Sequence, residues 1–192
     1  MLIRVSKAVL VLCAGVYASL VAVNNIADYG TNFEFVRHTL NMDTTFPGNK
    51  LNWRALNSST LHHFFYAAII VAEGLTGLLC VVGAQRLWRA RADGKEFRRA
   101  KGLAVAGLTV GIVLWFGGFI AIGGEWFLMW QSETWNGLDT AFRTSALMTL
   151  ILIYLTAASD DTPVSWRQDA ALQEDRPPKR RAKRPRKSPT TR

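Results

Sequence analysis

The sequence predicts an all-α integral membrane four-helix bundle with a structured external loop between spans 1 and 2. Three observations point there. The 49% hydrophobic content is gathered into four blocks, each close to the roughly 20 apolar residues needed to cross a hydrocarbon core about 30 Å thick. None of the blocks shows the polar residue at every third or fourth position that a water-soluble bundle requires. The second connection is strongly basic while the first has balanced charge and the third has no Lys or Arg, the asymmetry that the preference of Lys and Arg for the cytoplasmic side produces.

The predicted spans are residues 7–26, 60–85, 102–123 and 138–158, within a membrane domain of residues 1–159. The first block follows Arg4 and Lys7, a pattern shared with cleaved secretory signals. Its apolar run is long for a signal, however, and it leads into Asn24, Asn25 and Asp28 with no small-x-small cleavage site. The second connection, RLWRARADGKEFRRAK, and the tail, RPPKRRAKRPRKSPTTR, are dense in Arg and Lys, whereas GGEWFLMWQSETWNG has neither. Both termini and the second connection are therefore expected inside, the other two connections outside.

The net charge of +9 would suggest nucleic acid in a soluble protein, but its concentration in predicted cytoplasmic segments makes topology the simpler cause. No nucleic acid partner is expected, because no aromatic platform or folded module accompanies the charge. The tail, residues 160–192, has too few apolar residues to offset the entropy of ordering and is expected to be disordered, near anionic lipid. Cys13 and Cys80 fall inside spans without metal-ligand spacing, so they read as small hydrophobes and not as a disulfide.

The first external connection is long and rich in aromatic and turn-forming residues. Phe33, Val36 and Leu40 in NFEFVRHTL fit one face of a short helix lying in the interface. FPGN reads as a turn and NSST as capping residues for span 2. His38, Asp43, Thr44, Thr45, Phe46 and Pro47 are the docking candidates in this loop. In span 3, Ala104, Gly107, Gly111 and Gly118 recur at helical spacing, the small-residue face by which helices approach closely in lipid. Trp126, Trp130 and Trp135 suit the headgroup region.

Span 2 carries the candidate site, LHHFFYAAIIVAEG. On an ideal helix His62 and Glu73 lie roughly 20° apart and about 16 Å apart along the axis. Tyr66 and Thr76 extend the same stripe, while His63 points roughly 100° away, so the adjacent histidines do not form a ligand pair. A carboxylate at mid-membrane must be protonated, paired or facing water. The cation expected nearest to Glu73 is Arg143, with Asp139 one turn above it, and Asn24, Asn25 and Tyr17 are expected to add hydrogen bonds. The expected polar intramembrane cluster is thus His62, Tyr66, Glu73, Asp139, Arg143, Asn24 and Asn25.

NNIADYGTNFEFVRHTLNMDTTFPGN, followed by LHHFFYAAIIVAEG, resembles the bacterial predicted small integral membrane proteins grouped as domain of unknown function 2165. MDTTFPGN is the most specific element of the resemblance, which covers the four-span region and leaves out the tail. It implies a multi-span bacterial inner-membrane protein and carries no catalytic residues onto this chain. The residues themselves favour a non-enzymatic accessory, assembly or scaffold subunit with other membrane subunits and lipids as partners and no cofactor. A transporter or proton relay along His62, Tyr66 and Glu73 is the first alternative. The second is a b-haem or quinone protein, for which histidines on facing helices are lacking.

Overall fold

The structure is a computed structural model describing residues 1–157. The predicted tail, and the last residue of the fourth predicted span, lie outside the described residues. The described residues form five α-helices: α1 (Leu2–Ala27), α2 (Tyr29–Asn41), α3 (Ser59–Arg89), α4 (Gly94–Ile112) and α5 (Leu138–Thr156). Beyond Ile112 the chain continues from α4 without a break as a π-helix over Val113–Trp126. Four helices, counting α4 and its π-helical continuation as one, are long and apolar enough to cross a membrane. The first three start earlier and end later than the predicted spans, while the fourth starts at the predicted Leu138; where α3 and α4 meet the basic connection, its charged residues extend both helices past their apolar blocks.

The centre of the bundle is α3, which packs against α1 on one side and α4 on the other, with α5 closing against α4. Small residues permit these approaches. A Cβ added to Gly107 would lie 2.7 Å from Cys80 Sγ and 2.8 Å from the Cys80 backbone nitrogen, and one added to Gly83 would lie 2.6 Å from the Ala104 nitrogen. The small-residue face of α4 therefore serves packing within this chain. Gly118, expected on that face, departs from it. A π-helix bonds i to i+5 and no longer steps at the α-helical angle, so the periodicity that links Ala104, Gly107 and Gly111 fails after Ile112. A Cβ at Gly118 would meet nothing closer than Leu114 Cδ1 at 3.8 Å.

The ends facing the basic connection are pinned by two cations. Arg4 donates from Nη1 to the carbonyls of Arg91 and Ala92, each at 3.2 Å. Lys7 is fully buried and donates from Nζ to the Ala157 carbonyl at 2.8 Å, beside the Tyr154 ring. A cation at this position satisfies a carbonyl just past a helix C-terminus and opposes the negative end of its dipole. Between α3 and α4, Asp93 caps α4 by accepting from the backbone N–H groups of Lys95 (2.6 Å) and Glu96 (3.2 Å). Cys13 is exposed and Cys80 buried, and neither is in a disulfide.

The predicted capping role of NSST is corrected. Ser58 occupies the N-cap position of α3, but its side chain makes no cap bond. The His62 ring instead turns back to the Leu56 carbonyl, holding the entry to the helix.

Candidate functional site

The polar stripe on α3 is real and faces inward: His62, Tyr66, Glu73 and Thr76 are all buried. Glu73, 1% exposed, accepts a hydrogen bond from the side-chain amide of Asn25 on α1 at 2.7 Å. Tyr66 donates its hydroxyl to the backbone carbonyl of the same Asn25 at 2.9 Å. Thr76 returns its hydroxyl to Ala72 of its own helix. One asparagine thus joins two members of the stripe, tying the C-terminal end of α1 to the first half of α3.

The expected partnership of Glu73 with Arg143 is not formed. Arg143 projects from α5 with its side chain two-thirds exposed and pairs with Asp139 at 3.3 Å. Helical pitch accounts for this: Asp139 and Arg143 are i, i+4 neighbours on a face turned away from α3. Asn24 is likewise exposed. The cluster is therefore buried His62, Tyr66 and Glu73 with the partly buried Asn25, without Asn24, Asp139 and Arg143. Tyr17 contributes elsewhere, its hydroxyl 3.1 Å from the Thr144 hydroxyl of α5.

Beyond the seam, the first connection folds onto the third. The expected helix in NFEFVRHTL is α2, with Val36 and Leu40 buried. It ends at Met42 in a left-handed cap, and FPGN closes as a turn with Asn49 N–H on the Phe46 carbonyl at 3.3 Å and Gly48 at φ +77°. Hydrogen bonds and ring contacts bind this loop to the third connection. Thr44 donates to the Ser132 hydroxyl at 2.8 Å, the Phe46 N–H to Gln131 Oε1 at 3.0 Å, and the His38 ring stacks on Trp135 at 4.7 Å between centroids. Val36, Leu40, Met42, Tyr66, Phe127 and Leu128 form a separate apolar core beneath.

The docking candidates thus divide. His38 is engaged by Arg37, Asp43 and Trp135, and Thr44 and Thr45 bond within the cap. Asp43, Phe46 and Pro47 stay at the surface. On α2 the Arg37 guanidinium bonds Glu34 at 2.6 Å and holds its carboxyl below the usual range. Trp126 and Trp130, about half exposed, suit a headgroup belt, while Trp135 belongs to the cap. The sequence did not expose the loop-to-loop bonds, nor the burial of Lys7.

Between the cap, α3 and the π-helical segment lies an apolar cleft of about 700 Å³, with Phe35, Leu40, Phe65, Ile69, Gly118 and Trp126 among its walls. Its size falls within the roughly 300–1,000 Å³ of small-molecule sites.

A family described as predicted small integral membrane proteins, DUF2165, matches residues 3–158. The chain belongs to this family. No curated protein and no solved structure matches it. The matched region takes in the spans and the first and third connections, so the seam, the cap and the cleft all lie within the part shared with DUF2165.

The arrangement bears on the chemistry this DUF2165 member can perform. His62 and His63 both sit on α3 and His38 on α2, so no two of them face each other from neighbouring spans. His62 Nε2 bonds the Leu56 carbonyl, and His63 Nδ1 lies 2.8 Å from the Tyr29 hydroxyl with its ring stacked on Phe33 at 4.2 Å. Among the described residues, no three His, Cys, Asp or Glu side chains gather as a metal site. Tyr66 donates a hydrogen bond to a backbone carbonyl and Glu73 accepts one from an amide, which clasps α1 to α3.

Proposed function

We propose that this protein is a non-enzymatic accessory or assembly subunit of a larger complex in the bacterial inner membrane, with both termini cytoplasmic and the cap outside. The observation that carries the reading is the cap itself. Contacts between two connections hold it in one arrangement and leave a patch comprising Asp43, Phe46 and Pro47 at its surface, with Phe46 set edge-on to Trp130 at 5.7 Å. A surface ordered before binding loses little conformational entropy when a partner docks. Aromatic side chains are enriched among the residues that dominate interface energies. The orientation rests on the basic connection and tail, and the partner is another membrane protein subunit.

Site-specific photo-crosslinking in intact cells tests this. A photoreactive residue at Phe46 should give one discrete protein adduct, whereas the same residue at Phe142, exposed on the lipid-facing side of α5, should give none. Equal capture at both positions, or no protein adduct at Phe46, would contradict the reading.

A further inference from the structure

We infer that the cleft beneath the cap is a lipid site that takes one acyl chain of an anionic phospholipid, with the phosphate held by Arg54. Three features of the cleft and its rim converge on this.

The first is the cleft's material. Its lining is almost wholly carbon, with the Thr39 hydroxyl as the rare polar group. Its floor is open because Gly118, Ala121 and Gly123 line it in the π-helical segment. An occupant of this depth is a hydrocarbon chain.

The second is the cation at the rim. Arg54 lies with its guanidinium carbon 4.5 Å from the centre of the Trp126 ring and 5.4 Å from that of Trp53, and it donates to the Trp126 carbonyl at 3.3 Å. Trp126 is itself a wall of the cleft, so the charge stands at the mouth. Exposed tryptophans mark headgroup depth, where lipid phosphates lie.

The third is that this charge lacks a carboxylate partner among the described residues. Arg37, Arg99 and Arg143 each pair with a carboxylate. Arg54 has no carboxylate partner among the described residues, and its Nε is enclosed without an acceptor. A guanidinium offers five N–H donors in a planar fork that matches phosphate oxygens.

Chain and headgroup play different parts. Inside a bilayer an apolar groove exerts no hydrophobic pull on a lipid tail, since the surrounding tails are equally apolar. Selection must therefore come from the cation, which favours a headgroup with net negative charge over a zwitterionic one carrying its own ammonium.

Native mass spectrometry of the full chain released from its own membranes, with lipid analysis of the retained fraction, tests the site. The wild type should keep one phospholipid per chain, enriched in anionic headgroups over the bulk membrane. Gly118→Phe, which fills the floor, should retain roughly tenfold less. Arg54→Gln should retain lipid but lose the anionic enrichment. Ala121→Phe replaces Gly118→Phe if the latter does not yield a monodisperse protein. Retention by the filled variant equal to wild type, an unchanged headgroup ratio in Arg54→Gln, no retained lipid in the wild type, or a retained neutral isoprenoid in place of phospholipid would each overturn the proposal.

Discussion

Asn25 of α1, partly buried, and Glu73 of α3, fully buried, are joined by a 2.7 Å hydrogen bond between the two helices. The relationship places the polar seam under the control of an amide, not of a cation. An amide donor satisfies a carboxyl oxygen and would satisfy a carboxamide oxygen equally well.

Glu73→Gln should therefore cost little, because Asn25 keeps an acceptor. Asn25→Leu or Glu73→Leu leaves a buried partner unsatisfied and should lower stability by about 1–3 kcal/mol. The double variant should lose less than the sum of the two. Arg143→Leu should add independently to any Glu73 variant, since Arg143 pairs with Asp139. Unfolding in mixed detergent micelles gives these values, and strong coupling between positions 73 and 143 would refute the assignment.

Gly107 is a close-approach position and Gly118 is not. Gly107→Val would drive side-chain atoms into the Cys80 backbone and should cost about 1–3 kcal/mol, the usual range for overpacking. Gly118→Ala should be tolerated. Thermal stability of the two variants in one detergent distinguishes them, and equal behaviour would contradict the described path of α4.

Lys7→Met should loosen the junction of α1 with the end of α5, because the Ala157 carbonyl loses its donor. The expected loss is about 1–2 kcal/mol. Faster hydrogen exchange at the end of α5, with the cap unchanged, is the signature. Exchange identical to wild type would show that the lysine contributes nothing there.

Asp93 gives a pH dependence. Backbone N–H donation from Glu96, then from Lys95, holds its carboxyl below the ordinary aspartate value of 3.8. A depressed folded value means that the cap's contribution is complete above the unfolded value and is lost as pH falls through the folded one. Amide protection at Lys95 and Glu96, corrected for intrinsic exchange, should hold from neutrality down to the ordinary carboxylate range and fall only below it. Asp93→Ala should show reduced protection at every pH, while Asp93→Ser should keep it.

Much of this architecture was legible in the sequence because it is local. The length of an apolar block decides whether a helix can span, and a fixed angular step puts His62, Tyr66, Glu73 and Thr76 on one face. The same locality gave α2 its buried Val36 and Leu40. What escaped depends on which helices meet and how they are rotated. Asn25 and Arg143 were both candidates for Glu73, and only the packing of α1 on α3 chooses between them. The π-helical segment changes the angular step itself, so Gly118 left the face assigned to it. The bond between Thr44 and Ser132 joins residues 88 apart, beyond the reach of any periodicity.

The central claim is that the first and third connections fold onto each other as one cap, and a paired-cysteine experiment addresses it directly. In a background with Cys13 and Cys80 replaced by Ala, Thr44→Cys and Ser132→Cys put two thiols where hydroxyl oxygens now lie 2.8 Å apart. Under mild oxidation in intact cells, both thiols should disappear together from maleimide labelling and return on reduction, while either single variant stays labelled. Two thiols that remain independently reactive in the double variant would show that the connections do not meet and would contradict the account.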